Sequence, residues 1–370
     1  MSLLTTSPDF VYGNTRIRAR KADLLTGVAY DELLGRSIDG IQEALTQTVY
    51  RPELEAALAR EGGKRALDDA LRNHLARALE QMRSFYLDRA RELVDVLLAR
   101  FDLRNLLTLL RGQIREQPVE RVLASIVPLG PLGDGAAEEI AHRDEVASAV
   151  ELLTTWRLPD PDTAAVLGQA WARFERTQEL AQLEHELVAA HASRVERNLG
   201  SAPAALRELI ARERDATNVL TVLRLRAALQ LDELTELPAP PSPGRFLPGG
   251  RIGESALDAA LHVPAVSDAV ATLAEAAHRH DWHGPLERYP ETGDLPLLQG
   301  ELEAARVRWA LRLFLSGDPL GIDVPIAYTV AMENEARNLR LIAEGADEGE
   351  PAETVRPRLL VPEEGARWVA

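Results

Sequence analysis

Phe101-Asp102-Leu103-Arg104-Asn105-Leu106-Leu107-Thr108-Leu109-Leu110-Arg111 decides how this chain is read, because the pattern returns twice. About 113 residues on stands Arg214-Asp215-Ala216-Thr217-Asn218-Val219-Leu220-Thr221-Val222-Leu223-Arg224. About 120 residues further stands Asn334-Glu335-Ala336-Arg337-Asn338-Leu339-Arg340-Leu341-Ile342-Ala343-Glu344. Each copy places an acid, then Asn three positions later, then an apolar run; the third has Glu344 where the others have Arg111 and Arg224. A recurring period is the mark of repeated architecture. At this spacing each unit has the size of a small domain, so the chain reads as three similar domains in a pseudo-threefold body.

Working outward from the motifs, apolar residues fall at helical spacing almost everywhere. Tyr86, Ala90, Leu93, Val94 and Leu97 form one stripe; Leu180, Leu183, Leu187 and Ala190 a second; Leu302, Ala305, Trp309 and Leu313 a third. Period-two alternation is nearly absent, and Ala, Leu, Arg and Glu, the strongest helix formers, are abundant. The fold class is all-α. Breakers follow each motif: Gln117-Pro118, the stretch from Leu237-Pro238 to Pro243-Gly244, and Gly345 as a C-cap. A second Pro/Gly-rich loop, Val127-Pro128-Leu129-Gly130-Pro131-Leu132-Gly133, lies early in the middle block. The division expected is 1–117, 118–236 and 237–370, with a motif helix near each end. The tail beyond Ala346 ends in apolar Leu359-Leu360-Val361 and Trp368-Val369 and is expected to dock.

On a continuous helix, an acid and an Asn three apart share a face: Asp102 with Asn105, Asp215 with Asn218, Glu335 with Asn338. Asp102 could instead N-cap a helix that breaks at Arg100-Phe101. Asn is a mediocre helix former, so three interior copies point to side-chain hydrogen bonding, either pinning neighbouring loops or lining a shared surface. Leu106, Leu109, Leu110, Val219, Val222 and Leu223 read as core.

Composition bounds the function. The 370 residues carry a net charge of −16, which disfavours nucleic acid and anionic lipid as main partners. With no cysteine there is neither disulfide nor thiolate ligand. No apolar run approaches the roughly 18 residues of a membrane span. The opening residues Met1 to Pro8 lack the basic flank and apolar core of a signal peptide.

Motifs that invite an enzyme reading fail on spacing. Glu184-His185-Glu186 has Ala189 where a zinc helix needs its second His. Gly62-Gly63-Lys64-Arg65 lacks both the upstream Gly and the hydroxyl of a phosphate loop. His278, His280, Asp281 and His283 could ligate zinc but read better as a polar helix end. No cofactor, metal or catalytic residue is therefore expected.

The motifs and both chain ends resemble the C/d-subunit family of archaeal-type and vacuolar-type rotary ATPases. Tyr12-Gly13-Asn14-Thr15-Arg16-Ile17-Arg18 is similar to that family's Tyr-x-Asn-Ala-Arg-x-Arg opening, with Thr15 in place of Ala. Phe246-Leu247-Pro248-Gly249-Gly250 resembles its Pro-Gly-Gly turn, and Ile326-Ala327-Tyr328 with Glu333, Glu335, Asn338, Leu339 and Arg340 its C-terminal signature. The resemblance implies a non-catalytic funnel of three helical domains, cytoplasmic and peripheral to the membrane. It implies a socket between the central shaft (D/F-type subunits) and the membrane proteolipid ring, serving ATP-linked proton or sodium transport. The alternatives from the residues alone are a helical-repeat adaptor for unrelated proteins and an uncharacterised helical enzyme.

Overall fold

The structure, a computed structural model, describes residues 9–230, 244–277 and 282–361. The stretch Leu237 to Pro243, the residues His278, His280 and Asp281, and the tail residues Trp368 and Val369 lie outside the described residues, as do Met1 to Pro8. Among the described residues every regular element is a helix. The three motifs occupy the long helices Asp88–Ile114, Ala204–Gln230 and Asp323–Glu348. In each, the acid and the Asn are interior positions of one unbroken helix, so Asp102 is not an N-cap.

The chain forms two compact units, residues 1–161 with 310–370, and residues 162–309. The first is built around the third motif helix, buried at every residue from Val324 to Met332. A helix buried all round is a core element rather than a surface one. Its Pro325 lies in the first turn, where an absent N–H breaks no intrahelical bond. It packs on Gly63–Ser84, and one apolar cluster joins Ile41, Leu54, Leu67 and Leu71 to Leu339, Ile342 and Leu359. The two ends of the chain thus share a core, at about 1.5–3 kcal/mol per fully buried Leu or Ile side chain. The stop of this helix is Gly349, left-handed at φ 69°, not Gly345. Gly345 lies inside the helix with its Cα against Val355, where a Cβ would overlap the Val355 side chain. The returning tail crosses there, and Arg356 pairs with Asp31 to hold it.

In the second unit the last turns of the second motif helix supply Val219, Val222 and Leu223 to a core completed by Ile252, Leu273, Trp282 and Leu302. The stripe through Tyr86, Ala90, Leu93, Val94 and Leu97 is buried throughout in the first unit, as are Leu106, Leu109 and Leu110.

The N-terminal helix Val11–Arg20 shows how its motif residues fold the first unit. Gly13 lies under the ring of Tyr86, where a Cβ would overlap the ring. Tyr86 donates from its hydroxyl to Asn14 Oδ1 at 2.8 Å, and Asn14 Nδ2 donates to the carbonyls of Pro319 (2.9 Å) and Gly321 (2.8 Å). Three segments far apart in sequence are tied by one amide. Gly13→Ala is therefore expected to displace Tyr86 and to cost about 1–3 kcal/mol, the usual range for overpacking, read as a lowered denaturation midpoint. Tyr86→Phe keeps the packing but leaves Asn14 Oδ1 without its donor, at about 1–3 kcal/mol; a wild-type midpoint for Gly13→Ala would show that the close approach at Gly13 is not the constraint.

Candidate functional site

Each repeated Asn makes the same two-bond clasp on the backbone of one residue in a following loop. Asn105 Nδ2 donates to Val127 O at 2.7 Å while Val127 N donates to Asn105 Oδ1 at 3.1 Å. Asn218 Nδ2 donates to Leu247 O at 3.0 Å and Leu247 N to Asn218 Oδ1 at 2.8 Å. Asn338 Nδ2 donates to Leu360 O at 3.0 Å and Leu360 N to Asn338 Oδ1 at 3.1 Å. The side-chain amide thereby replaces a β-bridge partner for a loop residue that has no neighbouring strand. Asn105 and Asn338 are fully buried and Asn218 nearly so, where an unmatched amide would be costly.

The clasped loops are themselves a repeat. Val127-Pro128-Leu129-Gly130-Pro131-Leu132-Gly133 and Leu247-Pro248-Gly249-Gly250-Arg251-Ile252-Gly253 share the order apolar-Pro-x-Gly-x-apolar-Gly. Each runs directly into a helix, Asp134–Ala141 and Glu254–His262. The acids of the first two motifs meet the fourth loop position: a Cβ on Gly130 would overlap the Asp102 carboxylate, and one on Gly250 the Asp215 carboxylate. Asp215 then accepts from Arg251 N at 2.8 Å and Ile252 N at 3.1 Å. The shared heptamer was the sequence signal for these loops, and it becomes legible once the Asn clasps set the register.

The third acid reaches further. Glu335 accepts from Leu25 N at 2.6 Å and from the Tyr50 hydroxyl at 2.7 Å, more than 280 positions away. Leu25 stands two residues before the helix Gly27–Leu33, as Ile252 stands two before Glu254–His262. The third clasp is thus built from two segments: the tail supplies Leu360 and the N-terminal loop supplies Leu25. Val361 lies beside Gly27, which brings the segments together. Arg100 of the first motif helix pairs with Glu333 of the third at 2.7 Å.

Burial pushes the Glu335 carboxyl up to about 7, against the pull of the Leu25 and Tyr50 hydrogen bonds. Burial and the nearby Glu335 charge raise Tyr50 and Tyr30 well above the ordinary phenol value. A cavity of about 210 Å³, lined by Arg20, Asp23, His74, Arg77, Gln81 and Glu335 among others, adjoins the carboxyl. Two of the lining residues hold Glu53: burial would raise its carboxyl, but His74 at 3.2 Å and Arg77 outweigh that and keep it below the usual range.

No group of metal-ligating side chains occurs among the described residues. His283 sits against Glu287 at 3.1 Å. Glu186 is buried and paired with Arg173 rather than aimed at a ligand. Gly62 and Gly63 begin the helix Gly63–Ser84, with Lys64 paired to Asp68 at 2.8 Å.

The family described as ATP synthase (C/AC39) subunit matches residues 13–358, a span that contains all three acid–Asn pairs and both heptamer loops. The chain belongs to this family. Among its relatives, the C subunit of the V-type ATP synthase of Thermus thermophilus is 29% identical over 356 residues, covering 96% of this chain and 99% of the relative. The C subunit of the A-type ATP synthase of Methanosarcina mazei is 25% identical over 362 residues, covering 96% and 94%. Its V-type counterpart in Deinococcus radiodurans is 28% identical over 279 residues, covering 73% and 77%. The family thus spans nearly the whole chain, from the N-terminal helix to the docked tail. No described helix is long and apolar enough to cross a membrane. Arg111, Arg224 and Glu344, where the repeat changes sign, are all exposed, so the difference lies outside the buried clasps.

Proposed function

We propose that this chain is the non-catalytic central-stalk subunit of a rotary V/A-type ATPase or ATP synthase. It acts as a socket that couples the rotor shaft to the membrane proteolipid ring for ATP-linked proton or sodium transport. The observation that carries the reading is the family match over residues 13–358, with full-length relatives that are C subunits of V-type and A-type ATP synthases. In this reading the chain is cytoplasmic, peripheral to the membrane within the complex, and needs no cofactor. Its partners are D/F-type shaft subunits on one face and the ring on the other.

The blocks 1–117, 118–236 and 237–370 would form a pseudo-threefold funnel, and the clasps support this. The first motif helix holds the loop that opens the second block, and the second holds the loop that opens the third. The third, through Glu335, holds the loop of the first. Close-packed helices resist compression, as a torque-bearing part must.

The test is rotation under cross-linking. With no native cysteine, single Cys substitutions on exposed loops can be paired with a Cys on a neighbour, and bonds close only where Cα atoms come within about 7 Å. A link to the ring should leave ATP-driven rotation and ion transport intact, and a link to the peripheral stalk should stop both. The reverse pattern would make the chain a static element and sink the proposal.

A further inference from the structure

The N-terminal helix Val11–Arg20 has an inner face explained by folding and an outer face that folding leaves unused. Gly13, Asn14 and Ile17 are buried. Tyr12 is 60% exposed and Val11 53%, and Arg16 and Arg18 are exposed. The helix carries three arginines and no acid in a chain of net charge −16. Many arginines among the described residues are paired with carboxylates, Arg83, Arg100, Arg212 and Arg356 among them, whereas Arg16 and Arg18 make no ion pair there. Arg16 instead lies over the rings of Tyr12 (4.9 Å to the centroid) and Phe85 (5.3 Å), with Arg20 also over Phe85 at 4.9 Å.

The surroundings extend this face. The Asn14 network ties the helix to the turns that carry Leu87 (74% exposed) and Leu320 (59%), two further large apolar side chains left in solvent. Of the nearby acids, Asp9 caps Val11 N and Asp318 caps Leu320 N, both at 2.9 Å, and Asp88 begins the first motif helix.

We propose that Tyr12, Arg16 and Arg18, flanked by Leu87 and Leu320, form a docking face for a carboxylate-bearing segment of another protein subunit. The inference rests on the reading of the chain as one subunit of a rotary complex. A guanidinium stacked on two rings is already ordered, so less side-chain freedom is lost when a carboxylate takes its fork. Tyr and Arg beside apolar side chains is the composition of an interface centre. Charge decides between a protein segment and a lipid surface. A short acidic segment feels mainly the cations within a screening length of about 8–10 Å, whereas an extended anionic membrane meets the whole −16 chain.

The experiment uses the full-length chain with its purified shaft subunits and, separately, its proteolipid ring in detergent. Affinities are measured at about 50 and 300 mM salt for wild type, the double variant Arg16→Glu/Arg18→Glu, Arg16→Lys and Tyr12→Ala. All the substituted side chains are exposed, and unchanged melting midpoints confirm folding. The charge reversal should weaken binding to one component by about 30-fold or more and flatten its salt dependence, leaving the other unchanged. Arg16→Lys, which keeps the charge but loses the stacked fork, should weaken the same component about tenfold. If wild type binds a component and every variant binds it equally well, the docking face is wrong and the subunit reading stands. If wild type binds neither component, both fall. Flotation of wild type with phosphatidylglycerol vesicles, abolished by the charge reversal, would make the face a lipid site and overturn the proposal.

Discussion

Asn218→Leu is expected to lower the unfolding free energy by about 2–5 kcal/mol, among the largest effects of any single polar substitution in this chain. Leu keeps the volume but removes both halves of the clasp, so Leu247 N and Leu247 O are left buried without their partner. Each unsatisfied backbone group costs about 1–3 kcal/mol. Asn105→Leu should cost less, about 1–3 kcal/mol, because Val127 O keeps the Leu129 N–H at 2.7 Å and only Val127 N loses its partner. Asn338→Leu should cost less, about 1–3 kcal/mol, because Leu360 O also accepts from Asn334 Nδ2 at 2.7 Å. Guanidinium melts followed by circular dichroism give the order directly. Wild-type midpoints for both Asn105→Leu and Asn218→Leu would mean the clasps carry no load. A loss at Asn338 as large as that at Asn218 would mean that Asn334 does not share it.

These clasps explain why the acid–Asn pair recurs where the rest of each block diverges. A loop that must lie along a helix has no strand partner for its N–H and C=O, and a primary amide is a side chain that can donate and accept at once in the required geometry. Ser or Gln could satisfy one group or reach from a different distance, but not both from an interior helical position. The neighbouring acid then takes the N–H groups just before the next helix, as Asp215 does for Arg251 and Ile252.

Local patterning carried much of this into the sequence. The stripe from Tyr86 to Leu97 and the apolar runs after each Asn are set by helical period, and the structure buries them as that period demands. Residue spacing was equally clear for Glu184-His185-Glu186 and for Gly62-Gly63, where a missing ligand or hydroxyl ruled the motif out. What stayed hidden depends on topology. Nothing near Glu335 in sequence points to Leu25 or Tyr50, because those partners arrive only when the two ends of the chain share one core. Gly345 looked like a helix stop since Gly is the usual cap, but its use is close approach to Val355, a contact set by the tail's return path. The heptamer loops were visible singly; their equivalence emerges only when Val127 and Leu247 are aligned through the asparagines that hold them.

The pH dependence of stability should carry a component that Glu335→Gln removes. Glu335 is fully buried, with its carboxyl raised to about 7 from an ordinary value near 4.5, chiefly by burial. The folded chain therefore holds this proton more tightly than the unfolded chain does. The corresponding stability is fully present below about pH 4.5 and is lost as pH rises through about 7, with no further change above. Over that window the folded state binds one more proton, so stability falls by about 1.4 kcal/mol per pH unit, about 3 kcal/mol in all. Gln at 335 can still accept from Leu25 N and meet the Tyr50 hydroxyl, but it cannot ionise. The groups facing this carboxyl are Tyr30, Tyr50, Tyr328 and Asp23, with Arg20, His74 and Arg77 across the cavity. Both proteins carry all of them, so the difference between the two stability curves isolates Glu335. Denaturant melts from about pH 4.5 to 8 should show the Gln variant gaining about 3 kcal/mol on wild type as pH rises, with most of the gain in place by about pH 7. Parallel curves would mean that the carboxyl is ionised throughout, stabilised by water in the adjoining cavity. A difference of the opposite sign would mean that the Arg20 and Arg77 charges, not burial, set its proton affinity.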